Sequence, residues 1–154
     1  MRALLLGALA GLLLVACGEE LTIEQQVIAT IRSMELAAEA GEHLEFMGSV
    51  ADTMQAQHGD MDKRAFHRFM IFQLNQHRRL QAKFFPIHVR ETGAGRAEAN
   101  FHVLVTGGGG LLPDSGQVYA VESAWLRDGS DWLLEKANWE PARLPDIPSV
   151  IDYE

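Results

Sequence analysis

Residues 96–139 alternate side chains in period two almost without a break, and few folds accommodate such a run. Ala97, Ala99, Phe101, Val103 and Val105 alternate with Glu98, Asn100, His102 and Leu104. Tyr119, Val121, Ser123 and Trp125 alternate with Val118, Ala120, Glu122 and Ala124, and a third run, 132–139, follows Asp128-Gly129-Ser130-Asp131. Successive side chains of a strand point to opposite faces, so this is a half-buried antiparallel meander with one face on a core. Closing the last hairpin through 128–131 sets Trp125 opposite Leu134 and Arg127 opposite Trp132. One face then gathers Phe85, Ile87, Phe101, Val103, Tyr119, Val121, Trp125, Trp132 and Leu134. Lys136 and Asn138 join it unless a bulge intervenes, and the other face holds His88, Arg90, Asn100, His102 and Glu122.

The chain before the meander reads mostly as helix. Thr22 can cap a first helix, with Gln25 three residues on as capping-box partner and Val27, Ile31, Met34 and Ala38 as its apolar face; Gly41 ends it. A short second helix presents Leu44, Met47 and Val50. Residues 51–60 lack periodicity and read as loop, with room for a short strand. A third helix, capped by Asp60 or Asp62, runs to about residue 79 with Phe66, Phe69, Met70 and Leu74 as its stripe. Ile71 and Phe72 widen that stripe, and His77 continues it as a pocket candidate. Residues 83–91 form a strand with Phe85, Ile87 and Val89 on one side and Phe84, His88 and Arg90 on the other. Pro86 has no N–H to donate, so this strand is an edge or carries a bulge. The class is α+β, with N-terminal helices packed on a mostly antiparallel sheet.

At 154 residues the chain is one domain, and a net charge of −8 opposes binding to nucleic acid. A single cysteine, Cys17, rules out an internal disulfide and every cysteine-based zinc pattern. The six histidines show no H-x-x-x-H or H-E-x-x-H spacing, and glycines 107–110 lack the Lys and Ser/Thr of a phosphate loop. No metal site and no cofactor is expected.

Met1-Arg2 precedes an uninterrupted apolar run, residues 3–16, which is too short to span a bilayer comfortably. The run ends Leu14-Val15-Ala16-Cys17-Gly18, which resembles the lipobox of bacterial lipoproteins. The resemblance implies cleavage before Cys17, diacylglycerol on its thiol and an acylated new N-terminus. Several acyl chains anchor stably where one does not. Gly18 stands where, in that family, an Asp resembles the inner-membrane retention signal, which points to the outer membrane, facing the periplasm. The expected division is signal peptide 1–16, lipidated tether 17–20, folded domain 21–143 and tail 144–154.

Three helices, a long strand and a meander closing on Asp128-Gly129-Ser130-Asp131-Trp132-Leu133-Leu134 with Ala137-Asn138-Trp139 resemble the nuclear transport factor two / SnoaL-like domain. The resemblance covers residues 21–143 and implies a curved sheet wrapped around the helices as a cystatin-like cone. Members include isomerases, dehydratases, hydrolases and proteins that only bind. In this chain the expected lining is Phe85, Phe101, Tyr119, Ser123 and Trp125, with the third helix as lid through Phe69 and Met70. That face carries no carboxylate, so no catalytic residue is assigned. Glu122, His88 and His102 would make an acid–base set, but parity puts them outside.

The expected function is a membrane-anchored, non-catalytic envelope lipoprotein that binds a small apolar ligand or an envelope protein. The alternative is a SnoaL-like isomerase, dehydratase or hydrolase acting on a small hydrophobic substrate. The outer sheet face offers a homodimer surface. In the tail, Pro145 and Pro148 forbid regular helix while Leu144, Ile147, Val150 and Ile151 stay apolar, so it either folds back over the sheet or docks a partner.

Overall fold

In chain order the elements are α1 (Ile23–Ala40), α2 (His43–Gly48), β1 (Val50–Ala56), β2 (Met61–Asp62), α3 (Lys63–Gln76), β3 (Gln81–Gly93), β4 (Arg96–Thr106), β5 (Gln117–Asp128) and β6 (Asp131–Ala142). They come from a computed structural model that describes residues 20–76, 81–106 and 116–143. Cys17, His77, glycines 107–110 and residues 144–154 lie outside the described residues.

The capping chemistry acts where the residue types place it. Thr22 Oγ1 accepts from the Gln25 amide at 3.3 Å, and Gln25 Oε1 accepts from the Thr22 amide at 2.9 Å. Gly41 closes α1 in the left-handed region at φ 74°, which a side chain would strain. Val27, Ile31, Met34 and Ala38 are the buried face of α1. In α3 the Asp62 carboxylate accepts from the Ala65 amide at 2.7 Å and so caps the helix. Two expectations are corrected. Leu44 is 71% exposed while α2 buries Phe46 and Met47, and Val50 opens β1 rather than ending a helix. Phe72, expected to widen the buried arc of α3, is 57% exposed.

Six strands form one sheet in the order β2-β1-β6-β5-β4-β3. All pairs are antiparallel except β1 with β6, which is parallel. The stretch 51–60 is therefore largely strand. Its period was invisible because the β1–β6 register shifts between Val50 and Gln55, which breaks the alternation of burial. α1 packs over β3 and α3 over β1 and β2, so the two long helices straddle the central strands. No helix among the described residues is long and apolar enough to cross a membrane.

The meander pairs as its alternation requires. Trp125 faces Leu134 and Arg127 faces Trp132, and both Trp125 and Trp132 are 2% exposed. A bulge follows at once, because Ala124 pairs with Lys136 while Trp125 pairs with Leu134. The extra residue turns Ala137 and Trp139 inward and leaves Lys136 exposed, with Asn138 turned to accept from the His58 amide at 2.8 Å.

Strand β3 is both things that Pro86 allows. It is the sheet edge, and its pairing with β4 shifts between Phe85 and His88. The shift reverses the phase before the bulge. Phe84 pairs with inward Val103, whereas Phe85 pairs with His102 on the outer face, so the expected inward placement of Phe85 is wrong. The edge is guarded by α1. Arg32 Nη1 donates to the Phe84 carbonyl at 2.8 Å and to Glu35 at 2.7 Å, and Lys83 reaches Glu39 at 2.9 Å. A charged cover of this kind protects an edge from pairing with another chain.

Candidate ligand-binding groove

Burial changes along the inner face of the sheet, and that gradient locates the site. At one end the rungs Ala97–Trp125–Leu134 and Ala99–Ser123–Ala137 are closed, with no residue above 6% exposure. Toward the other end lie the rungs Phe101–Val121–Trp139 and Phe84–Val103–Tyr119. There Phe101 is still buried, but Phe84, Val103, Tyr119, Val121 and Trp139 are all half-buried. These rungs are the less covered end of the inner face, called the mouth.

The closed base has spent its polar groups. Ser123 Oγ donates to the Ala99 carbonyl at 2.9 Å and accepts from Trp125 Nε1 at 3.0 Å. Trp132 Nε1 donates to Gln26 Oε1 at 3.0 Å and ties the third meander strand to α1. Buried polar groups paired in this way add rigidity and leave nothing free for a ligand. Ser123 and Trp125 therefore belong to the packed interior beneath the mouth. Of the five expected lining residues, the structure brings Phe101 and Tyr119 to the mouth or its floor, sinks Ser123 and Trp125 into the core, and places Phe85 on the opposite face.

Aromatic stacking builds the mouth. Phe84 lies on Phe101 with ring centroids 5.3 Å apart, and Phe69 lies on Trp139 at the same separation. Phe66 approaches Trp139 at 6.1 Å. Phe69, Met70 and Leu74 of the expected α3 stripe pack against the core. Trp139 is held by an unusual device. Gln57 Nε2 donates to the Trp139 carbonyl and Gln57 Oε1 accepts from the Trp139 amide, both at 3.0 Å, so a side-chain amide extends the ladder beyond β1. Gln57 and His58 sit at φ 50° and 59°, a left-handed backbone that non-glycine residues rarely adopt. These bonds hold them there. The expected lining omitted Trp139, Phe84, Val103 and Leu74, although alternation already set Val103 on this face and helical spacing set Leu74 on the α3 stripe; for Phe84 the signal was the proline beside the β3 bulge.

The Tyr119 phenol is the one titratable side chain on the half-buried rungs, and no carboxylate or imidazole stands on them among the described residues. The one buried carboxylate among them, Glu35, is bound to Arg32 at 2.7 Å, with Lys83 at 3.8 Å. Glu39 at hydrogen-bond distance, helped by the charges of Glu39 and Glu35, holds the Lys83 ammonium above its ordinary range.

Two clefts elsewhere carry more polar groups. Between α2, β1 and α3, a cleft of about 450 Å³ is lined by Met47, Asp52, Asp62, Lys63, Arg64 and His67. Lys63 donates there to Asp52 at 2.8 Å and to the Val50 carbonyl at 2.7 Å. The Lys63 hydrogen bond, then its charge, keeps Asp52 below the usual carboxylate range. On the neighbouring α2, a hydrogen bond and the charge of Glu42 push Glu45 up. The second cleft, of about 200 Å³, lies beside the β3 bulge with His88, Asn100, His102 and Glu122 on its outer-face wall. Among the described residues no three histidine, aspartate or glutamate side chains come together as a metal site.

No family model matches the chain, and no curated protein does. Solved structures do. A candidate dehydratase of the NTF2-like family from Streptomyces avermitilis is 16% identical, with a TM-score of 0.65 over 76% of this chain and 94% of that one. A protein of unknown function with a cystatin-like fold, from Nostoc punctiforme, is 13% identical at TM-score 0.65, covering 81% of this chain and 96% of that one. Bd1075 of Bdellovibrio bacteriovorus matches at 8% identity and TM-score 0.65 over 78% of this chain, which spans only 41% of Bd1075. At these identities the likeness shows the fold, a cystatin-like, NTF2-like cone of helices on a curved, mostly antiparallel sheet.

Proposed function

We propose that this chain is a lipid-anchored envelope protein whose cone mouth binds a small apolar or amphipathic molecule without converting it. The observation that carries the reading is the burial gradient. The same face that closes completely at Ala97–Trp125–Leu134 stays half-open at Phe84, Val103, Val121 and Trp139. An apolar, aromatic wall with few polar groups suits a ligand held by burial, at about 25 cal/mol for each Å² of apolar surface removed from water.

Conversion of a bound molecule would need a base or acid within hydrogen-bond reach of it. Glu35 is engaged at the α1–β3 seam, and the hydroxyl of Ser123 is engaged below the mouth. The Tyr119 phenol is left at the mouth with no carboxylate or imidazole beside it on those rungs, which favours binding over conversion. The anchor belongs to the same proposal: acylation at Cys17 would place the domain, four residues on, against the membrane surface that stores apolar molecules.

The protein extracted from membranes with its tail and anchor intact should carry such a molecule. Native mass spectrometry is expected to show, beyond the acylated chain, a second species heavier by a discrete mass that solvent extraction removes. A single species at the acylated mass, unchanged by extraction, would contradict the proposal.

A further inference from the structure

The mouth keeps two hydrogen-bond donors that the fold does not use. Trp125 and Trp132 spend their indole N–H groups on Ser123 and Gln26, whereas Trp139 Nε1 and the Tyr119 phenol have no hydrogen-bond partner among the described residues. Neither is closed off from solvent: the unpaired polar side-chain atoms that are so buried are His67 Nε2 and His102 Nδ1. The two donors are also neighbours. Val121 pairs with Trp139 and Tyr119 with Pro141, so Tyr119 and Trp139 sit diagonally across β5 and β6 on one face. Diagonal positions of this kind lie about 7–8 Å apart, within reach of aromatic side chains. The phenol can donate or accept, while the indole N–H only donates.

What surrounds these donors is apolar. Phe84 stacks on Phe101 along one side, Phe69 stacks on Trp139 along the other, and neither half-buried rung carries a lysine or arginine. Lys83, next to Phe84 in the chain, is held by Glu39 at 2.9 Å. A carboxylate drawn into this end would lose its water without gaining a cation, which costs far more than burying a neutral carbonyl that finds a donor. The chain as a whole, at a net charge of −8, also repels anions. We infer that the mouth selects an uncharged molecule whose polar handle is an acceptor oxygen, held by the Tyr119 phenol and the Trp139 indole while its apolar body lies on the aromatic walls. This selectivity rests on the proposed binding of a ligand at the mouth.

The test displaces the neutral apolar dye phenylnaphthylamine from the full chain and from its Tyr119→Phe variant with three naphthalenes of similar size. Acetylnaphthalene carries a carbonyl, ethylnaphthalene has no oxygen, and naphthoate is an anion at neutral pH. The variant should bind acetylnaphthalene about fivefold more weakly, the loss of one neutral hydrogen bond, and ethylnaphthalene as the full chain does. In the full chain, naphthoate should bind at least about tenfold more weakly than acetylnaphthalene. That comparison needs no variant, so it decides the charge preference should Tyr119→Phe fold poorly. Equal losses for acetylnaphthalene and ethylnaphthalene, or none for either, would overturn the selectivity and leave binding at the mouth standing. Naphthoate bound as tightly as acetylnaphthalene would do the same. A full chain that binds neither the dye nor any of the three would remove the binding proposal, and the selectivity with it.

Discussion

Replacing Trp125 with Ala is expected to cost about 3–5 kcal/mol of folding stability, and Trp132→Ala a similar amount. Each indole is 2% exposed at the closed end of the cone. Trp125 sits on the rung between Ala97 and Leu134, and two alanines and a serine on neighbouring positions cannot expand to fill its volume. Its removal also takes away the donor that Ser123 Oγ accepts, 3.0 Å away. Trp132 adds a link between layers, because its Nε1 bonds Gln26 on α1. Urea unfolding followed by circular dichroism measures both. A loss below about 1 kcal/mol for either variant would mean that the base is loosely packed and that the burial gradient does not separate core from site.

Loss of the anchor should be close to complete in Cys17→Ser. The proposed anchor depends on one thiol, and the chain has no second cysteine to take over acylation. At about 0.8 kcal/mol per buried methylene, several acyl chains hold a protein on a bilayer, while the described domain contributes no membrane-spanning helix. Fractionation and intact mass together read the outcome. The variant should lose the acyl mass and either keep its signal peptide or appear in the soluble fraction. Membrane partition and mass unchanged from the parent chain would refute lipidation at Cys17.

Where the pattern was local, it was legible. Thr22, Gln25 and Gly41 define the ends of α1 through their own side-chain and backbone chemistry, and the structure uses all three. The last hairpin was legible because a four-residue turn leaves one register that pairs Trp125 with Leu134. What escaped the sequence was phase. A bulge inserts one residue and moves every later side chain to the other face. One such insertion beside Pro86 exchanged Phe84 for Phe85, and another, Glu135 in β6 opposite the Ala124–Trp125 step, turned Trp139 inward in place of Asn138. β1 was obscured for the same reason, with a parallel partner, β6, far along the chain that no local pattern announces. The mouth is built from residues beside these irregularities, so the site was less readable than the fold that carries it.

The half-open mouth is either a binding surface or a loosely filled core, and one substitution separates the two. Val121 sits on the mouth rung between Phe101 and Trp139, above the closed rung of Ser123. In the full chain, Val121→Trp is expected to fill vacant space, leaving the unfolding midpoint near that of the parent. Phenylnaphthylamine affinity should meanwhile fall by at least about tenfold, or 1.4 kcal/mol. A domain destabilised by about 1–3 kcal/mol, as overpacking of a filled core would produce, with dye affinity unchanged, would contradict a binding site at the mouth.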